Sequence, residues 1–152
     1  MPDRSSGSVS HMSADAAIQV RNDVTELARL NEFLAAFWAS NQLPKDAMFG
    51  LDLALEEIFT NVIFHGHRDG GEHAIHVGLA LRDRVVSLTV QDEGVPFNPL
   101  DAPAADDTAP IEERPIGGLG IHLVRKLMDE IAYAREGNRN RLVVRKRVSG
   151  ST

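Results

Sequence analysis

The sequence predicts an α+β fold, a two-layer sandwich with helices on one face of a mostly antiparallel sheet. Three observations lead there. Two apolar runs at helical spacing follow one short strand-like segment; two alternating runs joined by Asp83-Arg84 come next; and beyond a long proline-rich connection a third helical run precedes two more alternating ones. The order βααββ, connection, αββ within 152 residues suits a single domain whose helices are segregated to one side of its sheet.

Taken in order, residues 1–13 are rich in Ser and Gly, lack apolar periodicity and contain a His11-Met12 pair that looks like a cloning scar. They are set apart from the domain, expected over 14–149. Residues 17–20 read as a short strand. Asn22 or Asp23 can cap a helix running to about Gln42, because Val24, Leu27, Leu30, Leu34 and Phe37 recur at its spacing. Pro44 suits the first turn of a second helix, whose apolar positions Met48, Leu51, Leu55, Ile58, Phe59 and Val62 continue to about Phe64, with Gly66 as its stop. Trp38 and the phenylalanines at helical spacing are assigned to the core.

Apolar residues then alternate over 74–81 and 85–90, a hairpin. Residues 95–118 hold Pro96, Pro99, Pro103, Pro110 and Pro115, and so long a connection in a small domain is either disordered or functional. Helical spacing resumes at Ile121, Leu123, Val124, Leu127 and Met128, and two strands fit 130–135 and 141–148. In the last, Arg141, Arg145 and Arg147 form a solvated face opposite Leu142, Val144 and Val148.

Composition narrows the function. Hydrophobic residues at 43% and charged residues at 25% describe a folded chain, and a net charge of -6 argues against a nucleic-acid binder, which concentrates Lys and Arg. Without cysteine, disulfide frameworks and thiolate metal sites are unavailable, in keeping with a reducing cytoplasm. No apolar run approaches the roughly 20 residues of a membrane-spanning helix, and no signal-peptide order opens the chain, so a soluble, unexported protein with no membrane partner is expected.

Chemistry concentrates in three places. Glu57, Asn61 and His65 fall at i, i+4 and i+8 of the second helix, one polar line beside an apolar surface; a solvated face explains the line, and so does a site, since Asn is a poor helix-interior residue. Asp92-Glu93-Gly94 ends an alternating strand, where an Asp serves as a turn former or as an acceptor for a purine amino group. Gly117-Gly118-Leu119-Gly120 opens the third helix, as a hinge or as a cradle whose free backbone N–H groups meet phosphate. No Walker A pattern or complete G-x-G-x-x-G is present. His65, His67, His73 and His76 straddle a helix end, a glycine turn and a strand without a completing acid or thiolate, so zinc is not expected.

Together these residues carry a resemblance. Glu57-Ile58-Phe59-Thr60-Asn61 with His65-Gly66 resembles the N box of the GHKL (Bergerat-fold) ATP-binding superfamily, shared by histidine kinases, gyrase-type topoisomerases and mismatch-repair ATPases. Asp92-Glu93-Gly94-Val95-Pro96-Phe97 resembles its first glycine box and 117–120 its second, in the family order. The flavour of these boxes, with Gly118-Leu119-Gly120-Ile121-His122-Leu123-Val124 and Met128-Asp129-Glu130, is similar to the anti-sigma-factor serine kinases over roughly 18–148.

The resemblance implies ATP and Mg2+ as cofactors, with Asn61 on the metal, Asp92 on the adenine amino group, Gly94 leaving room for the base, and His65 among the nucleotide-binding positions. It implies Gly117, Gly118, Leu119 and Gly120 at the phosphates, residues 95–117 as an ATP lid, Arg114 within reach of the terminal phosphate, and Glu57 as general base toward a substrate serine. Where the family often has a small hydroxyl residue near the base, this chain has Asn140 and Arg141. The implied partners are a STAS-domain anti-sigma-factor antagonist, a sigma factor and a second copy of the chain. The alternatives are an ATP-holding binding module without kinase activity and a partner-switching kinase with a non-transcriptional output.

Overall fold

The computed structural model of the protein describes residues 13–66, 71–101 and 118–148. Five strands form one antiparallel sheet in the order β1-β2-β3-β5-β4: β1 is Ser13–Arg21, β2 Ala74–Arg82, β3 Val85–Asp92, β4 Glu130–Glu136 and β5 Arg139–Arg147. Three helices cover one face: α1 is Leu27–Ser40, α2 Lys45–His65 and α3 Gly118–Leu127. The expected α+β sandwich with its mostly antiparallel sheet is the fold observed.

Differences from the sequence reading lie at element ends, where pairing overrides local pattern. The first strand spans nine residues rather than four, because β2 pairs with all of it, from Ser13 opposite Arg82 to Arg21 opposite Ala74. Asp23 caps a 3-10 turn, Val24–Glu26, by accepting from Thr25 N at 2.9 Å, and α1 begins only after it. Pro44 is extended at φ -66, ψ 136 and sits just outside α2 rather than in its first turn. The last strand ends at Arg147, so Val148 lies beyond it, although Val148 is buried.

Turns follow backbone chemistry. Asp83 and Arg84 both have positive φ, 50° and 68°, as the tight turn of a twisted hairpin requires. Gly137, at φ 63°, does the same between β4 and β5. The Trp38 indole N–H donates to Pro44 O at 2.7 Å and so fastens the α1–α2 connection.

Alternation in β2 and β3 sends Ile75, Val77, Leu79, Val86, Leu88 and Val90 inward, against Leu34 and Trp38 of α1, Leu55, Ile58 and Phe59 of α2, and Ile121 and Val124 of α3. Burying each such side chain stabilises the fold by about 1.5–3 kcal/mol before ordering costs. Not every aromatic joins them: Phe49 and Phe64 on α2 are 68% and 53% exposed, which corrects their assignment to the core. Among the described residues no helix is long and apolar enough to cross a membrane.

Candidate nucleotide site

The second half of α2, the end of β3, the segment after it and the β4–β5 hairpin enclose a cleft of ≈ 350 Å³, counting its open mouth. Its lining is apolar at Ile58, Val62, Val90, Phe97, Pro99 and Leu142, with Asn61, Asp92, Tyr133 and Asn140 as its polar points and Gly66 at one end. An apolar cleft with few convergent polar groups is the usual form of a small-molecule site.

Helical spacing delivers the first set. Asn61 is buried and enters the cleft, while Glu57, one turn earlier, is half-buried. Glu57 Oε2 is shielded from solvent and has no hydrogen-bond partner among the described residues. Burial, then the neighbouring Glu56 charge, pushes the Glu57 carboxyl above its ordinary value of 4.5. One more turn along, the His65 ring stacks on Phe97 with centroids 4.6 Å apart and planes inclined by 21°, which joins the end of α2 to the segment after β3.

The second set sits where β3 stops. Asp92 is buried, and its Oδ2 accepts from Gly94 N at 2.7 Å. Glycine is required at 94 by a close approach: a Cβ there would overlap the Gly66 carbonyl and crowd Asp92 Oδ2. Gly66 O in turn accepts from Val95 N at 2.7 Å. Gly94 therefore lets the end of α2 and the end of β3 touch, backbone to backbone, and lies outside the cleft lining itself.

Sequence reasoning missed most of what fastens this segment from the other side. Asn140 on β5 is buried, its Nδ2 donates to Val95 O at 2.8 Å, and its Oδ1 accepts from Phe97 N at 3.3 Å and from the Tyr133 hydroxyl. Arg135 Nη1 donates to Gly94 O at 2.8 Å, and Arg139 pairs with Glu93 at 3.6 Å. Tyr133, the single tyrosine of the chain, stands opposite Leu142 in the β4–β5 register; a polar-tipped aromatic on an otherwise inward-facing strand position was the available signal.

Gly118, Leu119 and Gly120 form the first turn of α3, where helix geometry leaves backbone N–H groups without intrahelical partners. Arg114, Gly117 and most of the expected lid fall outside the described residues. The donor set fits a nucleotide with Mg2+: the amide oxygen of Asn61 is a hard donor of the kind that ion takes, and the glycine-led turn of α3 suits phosphate. Among the described residues no group of three or more His, Asp or Glu is arranged to hold a metal without such help.

An α+β sandwich with a cleft between its second helix and its sheet, and a glycine-led helix in addition, defines a nucleotide-binding domain. Residues 20–146 match the family described as "Histidine kinase-like ATPase domain". The anti-sigma F factor of Bacillus licheniformis is 31% identical over 101 residues, 65% of this chain and 68% of that protein. The serine/threonine-protein kinase BtrW of Bordetella bronchiseptica is 30% identical over 96 residues, covering 63% and 68%, and the anti-sigma F factor of Geobacillus thermodenitrificans is 29% identical over 129 residues, covering 84% and 86%. A solved structure of the RsbU and RsbW domains of a Mycobacterium tuberculosis protein shares the fold with a TM-score of 0.63 at 14% identity, over 89% of this chain and 32% of that one. The chain spans about a third of the length of that two-domain relative.

The chain belongs to the histidine kinase-like ATPase domain family, in its branch of anti-sigma factors and serine/threonine-protein kinases.

Proposed function

We propose that the protein is an ATP- and Mg2+-dependent serine kinase that phosphorylates a STAS-type anti-sigma-factor antagonist and, as a cytoplasmic homodimer, holds a sigma factor until partners exchange. The observation that carries the kinase reading is Glu57: a half-buried carboxylate with raised proton affinity and an unpartnered oxygen, one helical turn from Asn61 at the cleft. A binding module has no use for such a group, whose burial costs stability.

In this reading Asp92 accepts from the adenine amino group and the apolar cleft walls hold the ring. The α3 N-terminus, Gly118 to Gly120, with Gly117 before it in the sequence, donates backbone N–H groups to phosphate oxygens, Arg114 reaches the terminal phosphate, and His65 closes the rim with Phe97. Mg2+, when bound, neutralises phosphate charge, with Asn61 as its protein ligand. Glu57 takes the proton of the substrate serine as the hydroxyl oxygen bonds to the terminal phosphorus and the bond to the ADP oxygen breaks. A carboxylate of raised pKa is a better proton acceptor than an ordinary one.

Labelled-phosphate transfer to a purified antagonist tests this. Glu57→Gln should lower transfer by about 10²–10⁴-fold while nucleotide binding by calorimetry persists. Absence of transfer by the wild-type protein to any antagonist from its own genome, with ATP bound, overturns the kinase reading in favour of a binding module.

A further inference from the structure

Among the described residues four large hydrophobic side chains are well exposed: Val24, Phe49, Phe64 and Leu123. Two of the four are phenylalanines of α2, and they share a face. Phe49, Leu53, Glu56, Thr60 and Phe64 are spaced at i, i+4, i+7, i+11 and i+15, one stripe about 22 Å long on a straight helix. Thr60 adds no polar demand, because its hydroxyl donates to Glu56 O at 3.0 Å and Glu57 O at 3.1 Å. Acidic residues stand in and beside the stripe at Glu56, Asp46 and Asp52, against one lysine and no arginine on the helix, Lys45.

Glu57 lies at the edge of this stripe, about 12 Å along the axis from Phe49 and about 10 Å from Phe64. Its carboxylate thus stands between the outward aromatic line and the inward line of Gly50, Ala54 and Asn61, with an oxygen that nothing in the described chain engages. Near its start the helix meets α3, where a Cβ on Gly50 would lie 3.8 Å from Leu127, the residue one turn after exposed Leu123. The apolar surface therefore continues from α2 toward α3.

We infer that the outer face of α2 is the docking surface for the protein substrate, which sets apolar side chains on Phe49 and Phe64, borders them with Lys or Arg, and brings its acceptor hydroxyl to Glu57 between the two contacts. The occupant follows from charge and continuity: the border is acidic, and a base without a partner lies midway along the stripe. Two large exposed aromatics bracketing it are the kind of residue that anchors an interface. The inference rests on the kinase reading for the identity of the partner.

The test uses the full chain and a purified STAS-domain antagonist as the probe. Phe49→Ser with Phe64→Ser should raise KM for the antagonist about tenfold or more while ATP affinity, kcat at saturating antagonist and the melting temperature stay near wild type. Val24→Ser, away from the stripe, should leave KM unchanged. Glu56→Lys should weaken the complex and reduce its salt dependence. Calorimetric binding of the antagonist with a non-transferable nucleotide reads docking without transfer. Binding or KM unaffected by the double substitution overturns the docking surface and leaves the kinase reading intact. A wild-type protein that binds the antagonist through this stripe and transfers nothing overturns the kinase reading alone, and one that neither binds nor transfers overturns both.

Discussion

The Glu57 carboxylate is costly to ionise in the folded chain, because burial and the neighbouring Glu56 charge both disfavour its charged form. Its raised pKa means that folding favours the protonated form, so the stability this group contributes is complete below its ordinary 4.5 and is lost as pH rises through its higher folded value. Glu57→Gln, neutral at every pH, should therefore melt above wild type at pH 7, and the gap should close as pH falls below the ordinary 4.5. Calorimetric scans across that range check the sign; a variant that melts lower at pH 7 contradicts it. Asn61→Ala should weaken nucleotide binding in Mg2+ and much less in its absence, and Asp92→Asn should reduce the preference for adenine over guanine nucleotides because the acceptor facing the base changes. At this scale the sequence was informative about residue type and register: Glu57, Asn61 and Asp92 were legible because helical and strand periods place them by arithmetic. Asn140 and Tyr133 were hard to read because their roles depend on the β4–β5 register, a property of pairing rather than of either strand alone.

Elements were legible in their existence and less so in their ends. All three helices and five strands follow from apolar periodicity, but β1 could not be measured from Ala14, Asp15 and Ala16, residues with little strand preference that are extended because β2 supplies partners. The 3-10 turn before α1 was hidden for a related reason: Asp23 caps whichever turn follows it, and Glu26 then binds back to Arg21. The contact between α2 and the end of β3 carries a prediction of its own. Gly94→Ala would drive a methyl into the Gly66 carbonyl, so it should cost about 1–3 kcal/mol by denaturant melting and weaken nucleotide binding as the cleft distorts. A neutral outcome would mean that the two backbones separate more easily than their 2.7 Å bond at Val95 suggests.

For the molecule as a whole, acid stability should be set in part by one carboxylate far from the cleft. Glu26 is 3% exposed; the Arg21 backbone N–H, followed by the Arg21 and Arg29 guanidinium groups, holds its pKa down to about 2. The stability it provides is present above its ordinary 4.5 and disappears as pH falls toward 2, so melting temperature should drop through that window, and Glu26→Gln should be less stable at pH 7 with a shallower acid limb. The stripe on α2 and the cleft beside it share one helix, with Glu57 at the edge between them, so a substrate on the stripe and a nucleotide in the cleft would meet along that edge. That arrangement was not legible in the sequence, where Phe49 and Phe64 look like any other helical apolar residues.

The segment joining β3 to the cleft leaves no amide idle. From residue 94 to 97 the Gly94 N–H goes to Asp92, the Val95 N–H to Gly66 and the Phe97 N–H to Asn140, while Pro96 has none to offer. Each of these amides is held by a partner on a different element, so this end of the cleft should exchange slowly before any nucleotide is added. Nucleotide binding should then bring little further protection there, because these amides already have partners within the protein.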